Sequence, residues 1–226
     1  MELSNVVPWG RSLKEYRDMF SLSEDDLAKK ILGCGDGPAC FNAQLSRAGG
    51  NVISVDPIYQ FNTEQIRSRI HEVYPQIMEQ VSKNKEDYVW KNMGSIEELG
   101  MVRMLAMTIF LRDYEQGIKC GRYINASLPK LPFEDEEFDL ALCSHYLFLY
   151  SEHVNQEQHI LSMRELCRVA SEVRVYPLLS IGSNKQSPHL EPVVSALNDS
   201  GISVSLVPVE YEFQRGATEM LVAKCV

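Results

Sequence analysis

Two rhythms of apolar and polar positions alternate along this chain. The runs "KKILGCG" (29–35) and "NVISVDP" (51–57) are short, aliphatic or β-branched, and read as buried strands. Between them lies "PACFNAQLSRAGG", in which Phe41 and Leu45 share a helical face, Pro38 suits a first turn and Gly49-Gly50 end the helix. Together they predict a strand–helix–strand unit of the length a parallel crossover needs. Upstream, Ser23 with Asp26 three residues on marks a helix start or turn.

Downstream, Ile66, Ile70, Val73, Ile77 and Val81 keep helical spacing, with Pro75 expected to kink or split that helix. Ser95 and Glu98 predict a capping box ahead of Leu99, Val102, Leu105 and Ile109, with Gly117 as the stop. Strand signals return in "GRYINAS", "FDLALCS", "SEVRVYPLL", "ISVSLVPVEYEF" and "TEMLVAKCV", interrupted by helices over 156–168 and 190–198. Only "QRGA" separates the last two, too short for a helical crossover, so an antiparallel hairpin is expected. The sum is an α/β fold with a mostly parallel sheet and an antiparallel C-terminal edge.

Composition narrows the partners. A chain of 226 residues, 45% hydrophobic and without a linker-like stretch, predicts one domain over 1–226. Within it we expect an N-terminal helical cap (1–26) and a helical insertion (60–120) after the second strand. The net charge of −9 argues against a nucleic-acid polymer as main partner and leaves a small-molecule substrate. No secretory signal is apparent, and no apolar run is long enough to span a bilayer. The six cysteines form no CxxC pair and no zinc spacing, so they read as reduced thiols of a cytoplasmic protein. His153 and His159 flank Glu157 at spacings that fit no metal set, so no metal is expected.

The chemistry begins at the glycines. Gly33, Gly35 and Gly37 lie where a strand turns into a helix and a ligand can meet bare backbone. Asp56, at the tip of the next strand, would stand beside them and can accept both hydroxyls of an adenosine ribose. A tight turn with no ligand is the plainer alternative. The spacing is GxGxG, not GxGxxG, and Asp36 inside the loop would oppose a pyrophosphate. That favours S-adenosylmethionine over a nicotinamide dinucleotide.

The phrases "ILGCGDG", "VDP", "LPKLPFEDEEFDLALCSHYLFLY" and the closing hairpin resemble the class I, Rossmann-like S-adenosylmethionine-dependent methyltransferases, over about residues 27–226. More narrowly, the chain resembles an uncharacterised bacterial subfamily of them. The resemblance implies a seven-stranded sheet whose last strand is antiparallel, and methyl transfer from S-adenosylmethionine to an acceptor. It implies that Gly33, Cys34, Gly35, Asp36 and Gly37 line the methionine side and that Asp56 and Pro57 hold the ribose. Ser127 and Leu128 fall near adenine, and Cys143, Ser144 and His145 at the fourth-strand tip face the methyl group. Where the family often has an acidic residue two positions before the first glycine, this chain has Ile31. That role could pass to Asp36 or to the N-terminal region.

For the reaction itself, His145 and Tyr146 are the candidate catalytic residues, able to orient a nucleophile or take its proton; core packing is their plainer role. Tyr150, Trp90 and Arg112 are candidate substrate contacts, with a solvated helix face the plainer role for Arg112. Met93, Met101, Met104 and Met107 could form an apolar lid or ordinary core. The N-terminal "PWGRSLKEYRDMF" could close over the cofactor with Trp9, Arg11 or Tyr16, or simply dock. "DPIY" at 56–59 superficially matches the motif of enzymes methylating nucleobase amines, but follows the wrong strand. A regulatory S-adenosylmethionine-binding module, and a methyltransferase acting on protein or RNA, remain the alternatives.

Overall fold

A computed structural model describes residues 7–225; the start of the 1–26 cap and Val226 lie outside the described residues. The elements run α1 (Leu13–Phe20), α2 (Glu24–Leu27), β1 (Lys30–Cys34), α3 (Phe41–Arg47), β2 (Asn51–Val55), α4 (Thr63–Lys83), α5 (Ile96–Lys119), β3 (Tyr123–Ile124), β4 (Phe138–Ser144), α6 (Gln156–Val169), β5 (Ala170–Tyr176), α7 (Leu190–Asn198), β6 (Ser203–Pro208) and β7 (Glu219–Lys224). The strands form one seven-stranded sheet in the order β3-β2-β1-β4-β5-β7-β6. Pairs from β3 to β5 are parallel, and β7 runs antiparallel to both β5 and β6. That order and direction make the fold Rossmann-like, with an antiparallel C-terminal hairpin.

Both faces of the central strands are covered, which is why their sequences read as continuous apolar runs. Ile31, Leu140 and Leu142 point into the core shared with α1, α3 and α4. Leu32, Ala141 and Val173 point to the opposite core, filled by α6 and α7. A third cluster joins α4 to α5 through Ile66, Ile70, Phe110 and Tyr114.

Four local expectations are corrected. Helix α4 passes unbroken through Pro75. Residue 75 faces solvent, so water can serve the carbonyl that the missing N–H leaves unpaired. Pro38 lies in the loop, since α3 starts at Phe41 behind Cys40. Gly117 sits inside α5, not at its end; a Cβ there would collide with the Tyr123 ring, and Gly121, at φ +71°, makes the turn instead. Finally, β6 ends at Pro208, so the hairpin loop is 209–218, longer than "QRGA". Its Tyr211 and Phe213 turn inward onto the core, which is what made them look like strand.

Candidate functional site

Successive parallel strands turn into their crossovers at the carboxyl edge of the sheet, so β1, β2 and β4 end side by side in register: Cys34 beside Val55 and beside Cys143. A cavity of about 490 Å³ opens above these tips, where a ligand site is expected in an open α/β sheet. Gly35 (φ +72°) and Gly37 (φ +52°) make the left-handed turn at its floor. A side chain at 35 would bring its Cβ within 2.9 Å of Tyr146 Cβ.

Asp56 follows β2 in extended backbone and caps a 3₁₀ turn over Pro57–Gln60. Its Oδ2 accepts from the Gly37 N–H at 2.9 Å and its Oδ1 from the Ile58 N–H at 2.9 Å. One carboxylate therefore ties the glycine loop to the β2 tip, and each oxygen keeps a lone pair for a ligand. Burial pushes its pKa up to about 6, against the pull of the two amides. The Tyr59 hydroxyl closes the loop from behind by donating to the Gly37 carbonyl at 2.8 Å.

Asp36 does not face the cavity as a free charge. Tyr16 donates to its Oδ1 at 2.7 Å and Ser54 to its Oδ2 at 2.5 Å. The carboxylate lies over Gly33, where any Cβ would strike it. Burial raises its pKa to about 7, opposed by those two hydroxyls and reinforced by the Asp56 charge. Both acids thus have folded-state pKa values above the ordinary carboxylate range. Their contribution to stability is greatest in acid, declines from about pH 4 and is lost by about pH 6 for Asp56 and about 7 for Asp36. Melting temperature should fall across that window, by about 3–5 °C per pH unit and per group at most. Asp36→Asn should flatten the slope, and a slope unchanged in that variant would contradict the assignment.

The β4 tip supplies the other wall. His145 adopts φ +54° and Phe148 φ +66°, so "SHYLF" is a sharply wound turn. The His145 N–H donates to the Tyr176 carbonyl at 2.8 Å, and its Nδ1 pairs with Ser144 Oγ at 3.0 Å. Burial, then the nearby Arg11 and Arg103 charges, hold its pKa well below the usual imidazole value, so the ring is neutral at ordinary pH. Phe148 is fixed through its N–H, which donates to His159 Nε2 at 3.1 Å. His159 is buried and serves the turn, and among the described residues no cluster of His, Cys, Asp or Glu could hold a metal.

Of the sequence candidates, Cys34, Gly35, Asp36, Gly37, Asp56, Pro57, Ser127, Leu128, Ser144, His145, Tyr146 and Tyr150 line the cavity. Four do not. Gly33 lies beneath Asp36, and Cys143 is fully buried against the Cys34 thiol. Trp90 stands behind the wall, edge-on to Phe213 at 5.7 Å. Arg112 is on the outer side of α5, in a separate shallow cleft with Arg47 and Asp113. The methionines are not a lid: Met93 and Met107 are buried in the core and Met101 is 64% exposed. The insertion instead offers Ile77 and Val81 of α4, then Tyr88. Trp9, Arg11 and Tyr16 of the N-terminal segment also line the cavity, as do Phe213 and Gln214 of the β6–β7 loop. The loop residues had no local signal, because strand-like spacing hid them.

Comparison with known proteins gives one close relative and several fold likenesses. An uncharacterised protein of Methanocaldococcus jannaschii is 30% identical over 99% of this chain and 98% of its own length. A SAM-dependent methyltransferase structure from Aquifex aeolicus is 16% identical, covering 95% of this chain and 89% of that one, with a TM-score of 0.47. The magnesium protoporphyrin IX methyltransferase of Synechocystis with bound SAH is 12% identical, covering 90% and 77%, with a TM-score of 0.45. No family model matches the chain. Among the described residues no helix is long and apolar enough to cross a membrane.

Proposed function

We propose, from the premise that the chain belongs to the same family as the M. jannaschii protein, that it binds S-adenosylmethionine and transfers the methyl group to a small or medium-sized metabolite. The observation that carries this reading is Asp56: a buried strand-tip carboxylate, braced by two loop amides, with acceptor capacity left over at the rim of a cavity of nucleoside size. A ribose diol supplies the two donors such a carboxylate lacks. A dinucleotide pyrophosphate fits less well. The start of α3, where its phosphates would rest, is covered by the first residue of α1 and the segment before it, with the Leu13 N–H donating to Gln44 at 2.9 Å and the Cys40 N–H to the Arg11 carbonyl at 2.9 Å.

The bound cofactor would supply an electrophilic methyl on a sulfonium, already a good leaving group. The chain's own residues then have to position and dehydrate. Apolar and aromatic walls (Leu149, Tyr150, Tyr88, Phe213) exclude water from the acceptor side, below the α4 end of the insertion. A neutral His145 orients an acceptor proton or lone pair and does not act as a strong base. His145→Asn should therefore cost less than about 100-fold in kcat, below the range of an essential general base. The wild-type rate should show no step at an ordinary imidazole pKa, measured as methyl transfer with isotopically labelled cofactor. A loss beyond that range, with a rate that tracks imidazole ionisation, would contradict the positioning mechanism. The test of the function itself is mass spectrometry of extracts incubated with protein and cofactor. An acceptor gaining a methyl group supports transfer; repeated failure with a binding-competent protein favours a regulatory binding module.

A further inference from the structure

The glycine loop has almost no amide left to offer an anion. Gly35 N–H donates to the Val55 carbonyl (3.0 Å), Gly37 N–H to Asp56, Ala39 N–H to the Asp36 carbonyl (3.2 Å) and Cys40 N–H to the Arg11 carbonyl (2.9 Å). Residue 38 is proline and has none. The cavity is also acidic, with Asp36, Asp56 and Asp87 in its lining. Among the described residues that line it, Arg11 is the only lysine or arginine.

Arg11 is placed there by close packing. Gly10 lies against the Pro38 carbonyl so tightly that a Cβ would not fit, which brings the next side chain over the loop. Its Nη1 donates to the Trp9 carbonyl at 3.2 Å, while its Nε is buried with no partner. The Glu15 carboxylate, whose charge reaches Arg11, is hydrogen-bonded by Arg103 at 2.5 Å and forms no ion pair with Arg11. A shielded guanidinium with an unused donor costs free energy unless an anion completes it.

Building on the nucleoside reading, we propose that Arg11 is the receptor for the carboxylate on the amino-acid arm of the cofactor. The N-terminal segment thereby becomes part of the binding site. The loop supplies shape and the ribose carboxylate its orientation, and the negative end of the ligand is met by Arg11, twenty-two positions before the loop's first glycine, Gly33. An acid group on the acceptor is the rival occupant of the same guanidinium.

Two ligands separate these. S-adenosylhomocysteine carries the carboxylate, whereas 5′-methylthioadenosine keeps the adenosine and thioether without it. Calorimetric titration of wild type, Arg11→Gln and Arg11→Lys should show S-adenosylhomocysteine weakened about 10–150-fold by Arg11→Gln and less by Arg11→Lys, the range of hydrogen bonds to charged groups. Methylthioadenosine should stay within about 2-fold in all three, which also reports that the variants fold. Unchanged S-adenosylhomocysteine affinity in Arg11→Gln would overturn the assignment and point to the acceptor's acid. Equal weakening of both ligands would overturn it as well, by showing a displaced cap. Wild type binding neither ligand would sink the nucleoside reading itself, and the role of Arg11 with it.

Discussion

Replacing Asp56 by alanine is expected to weaken S-adenosylhomocysteine binding about 30–150-fold, a loss of roughly 2–3 kcal/mol. The carboxylate would give two charge-assisted hydrogen bonds to the ribose, and alanine gives none. The same change frees the Gly37 and Ile58 amides, so the loop itself loosens. Losing such a cap costs about 1 kcal/mol, partly offset because the desolvated carboxylate is gone. The variant should therefore remain folded, by circular dichroism, while calorimetry reports the lost affinity. Asp56→Asn, which keeps one acceptor oxygen, should fall between. Affinity equal to wild type in both variants would mean that the ribose lies elsewhere.

The largest effect on stability is expected from Glu15→Gln. Glu15 of α1 and Arg103 of α5 form an ion pair that is 6% and 0% exposed, with the Tyr211 hydroxyl on the same Glu15 oxygen at 3.2 Å. Glu15 also completes the α1 capping box by accepting from the Ser12 N–H at 2.9 Å. One carboxylate thus binds the N-terminal segment, the insertion and the β6–β7 loop, the three pieces that roof the cavity. Arg103 Nε and one Nη are already without partners, so it cannot lose its counter-charge cheaply. Removing one member of a buried pair typically costs about 3–5 kcal/mol. At about 2–4 °C per kcal/mol for a chain of this size, melting should drop by about 10 °C. Glu15→Gln combined with Arg103→Met should recover much of that, because the guanidinium left without its counter-charge is gone as well. A drop of under about 2 °C for Glu15→Gln would show that the pair is hydrated and not structural.

What the sequence revealed, and what it hid, follows the range of the interactions. The β1–loop–β2 unit was legible because its signals are local: an apolar run, glycines at left-handed positions and an acid at the next strand end. Strand β4 was legible to the residue, since all of it but Asp139 is buried and it reads as a nearly continuous apolar run. The site positions on those strand tips came with them. Arg112 was misplaced because helical spacing gives a face but not which neighbour takes it, and Trp90 because it lies in the non-helical stretch between α4 and α5, where no periodicity orients it. Gly117 was misread for a similar reason. A glycine near a helix end signals a stop, whereas here it makes room for a ring arriving from β3. Tyr16 and Arg11 show the converse. Their place at the site depends on a docking of α1 against the loop that no local pattern encodes, held by long-range contacts such as the buried bond from Tyr16 to Asp36.

Calorimetric titration of the wild-type protein with S-adenosylhomocysteine and, separately, with NAD tests the central reading most directly. Saturable one-to-one binding of S-adenosylhomocysteine, with NAD weak or silent, is the predicted result. Tight binding of NAD with none of S-adenosylhomocysteine would contradict it.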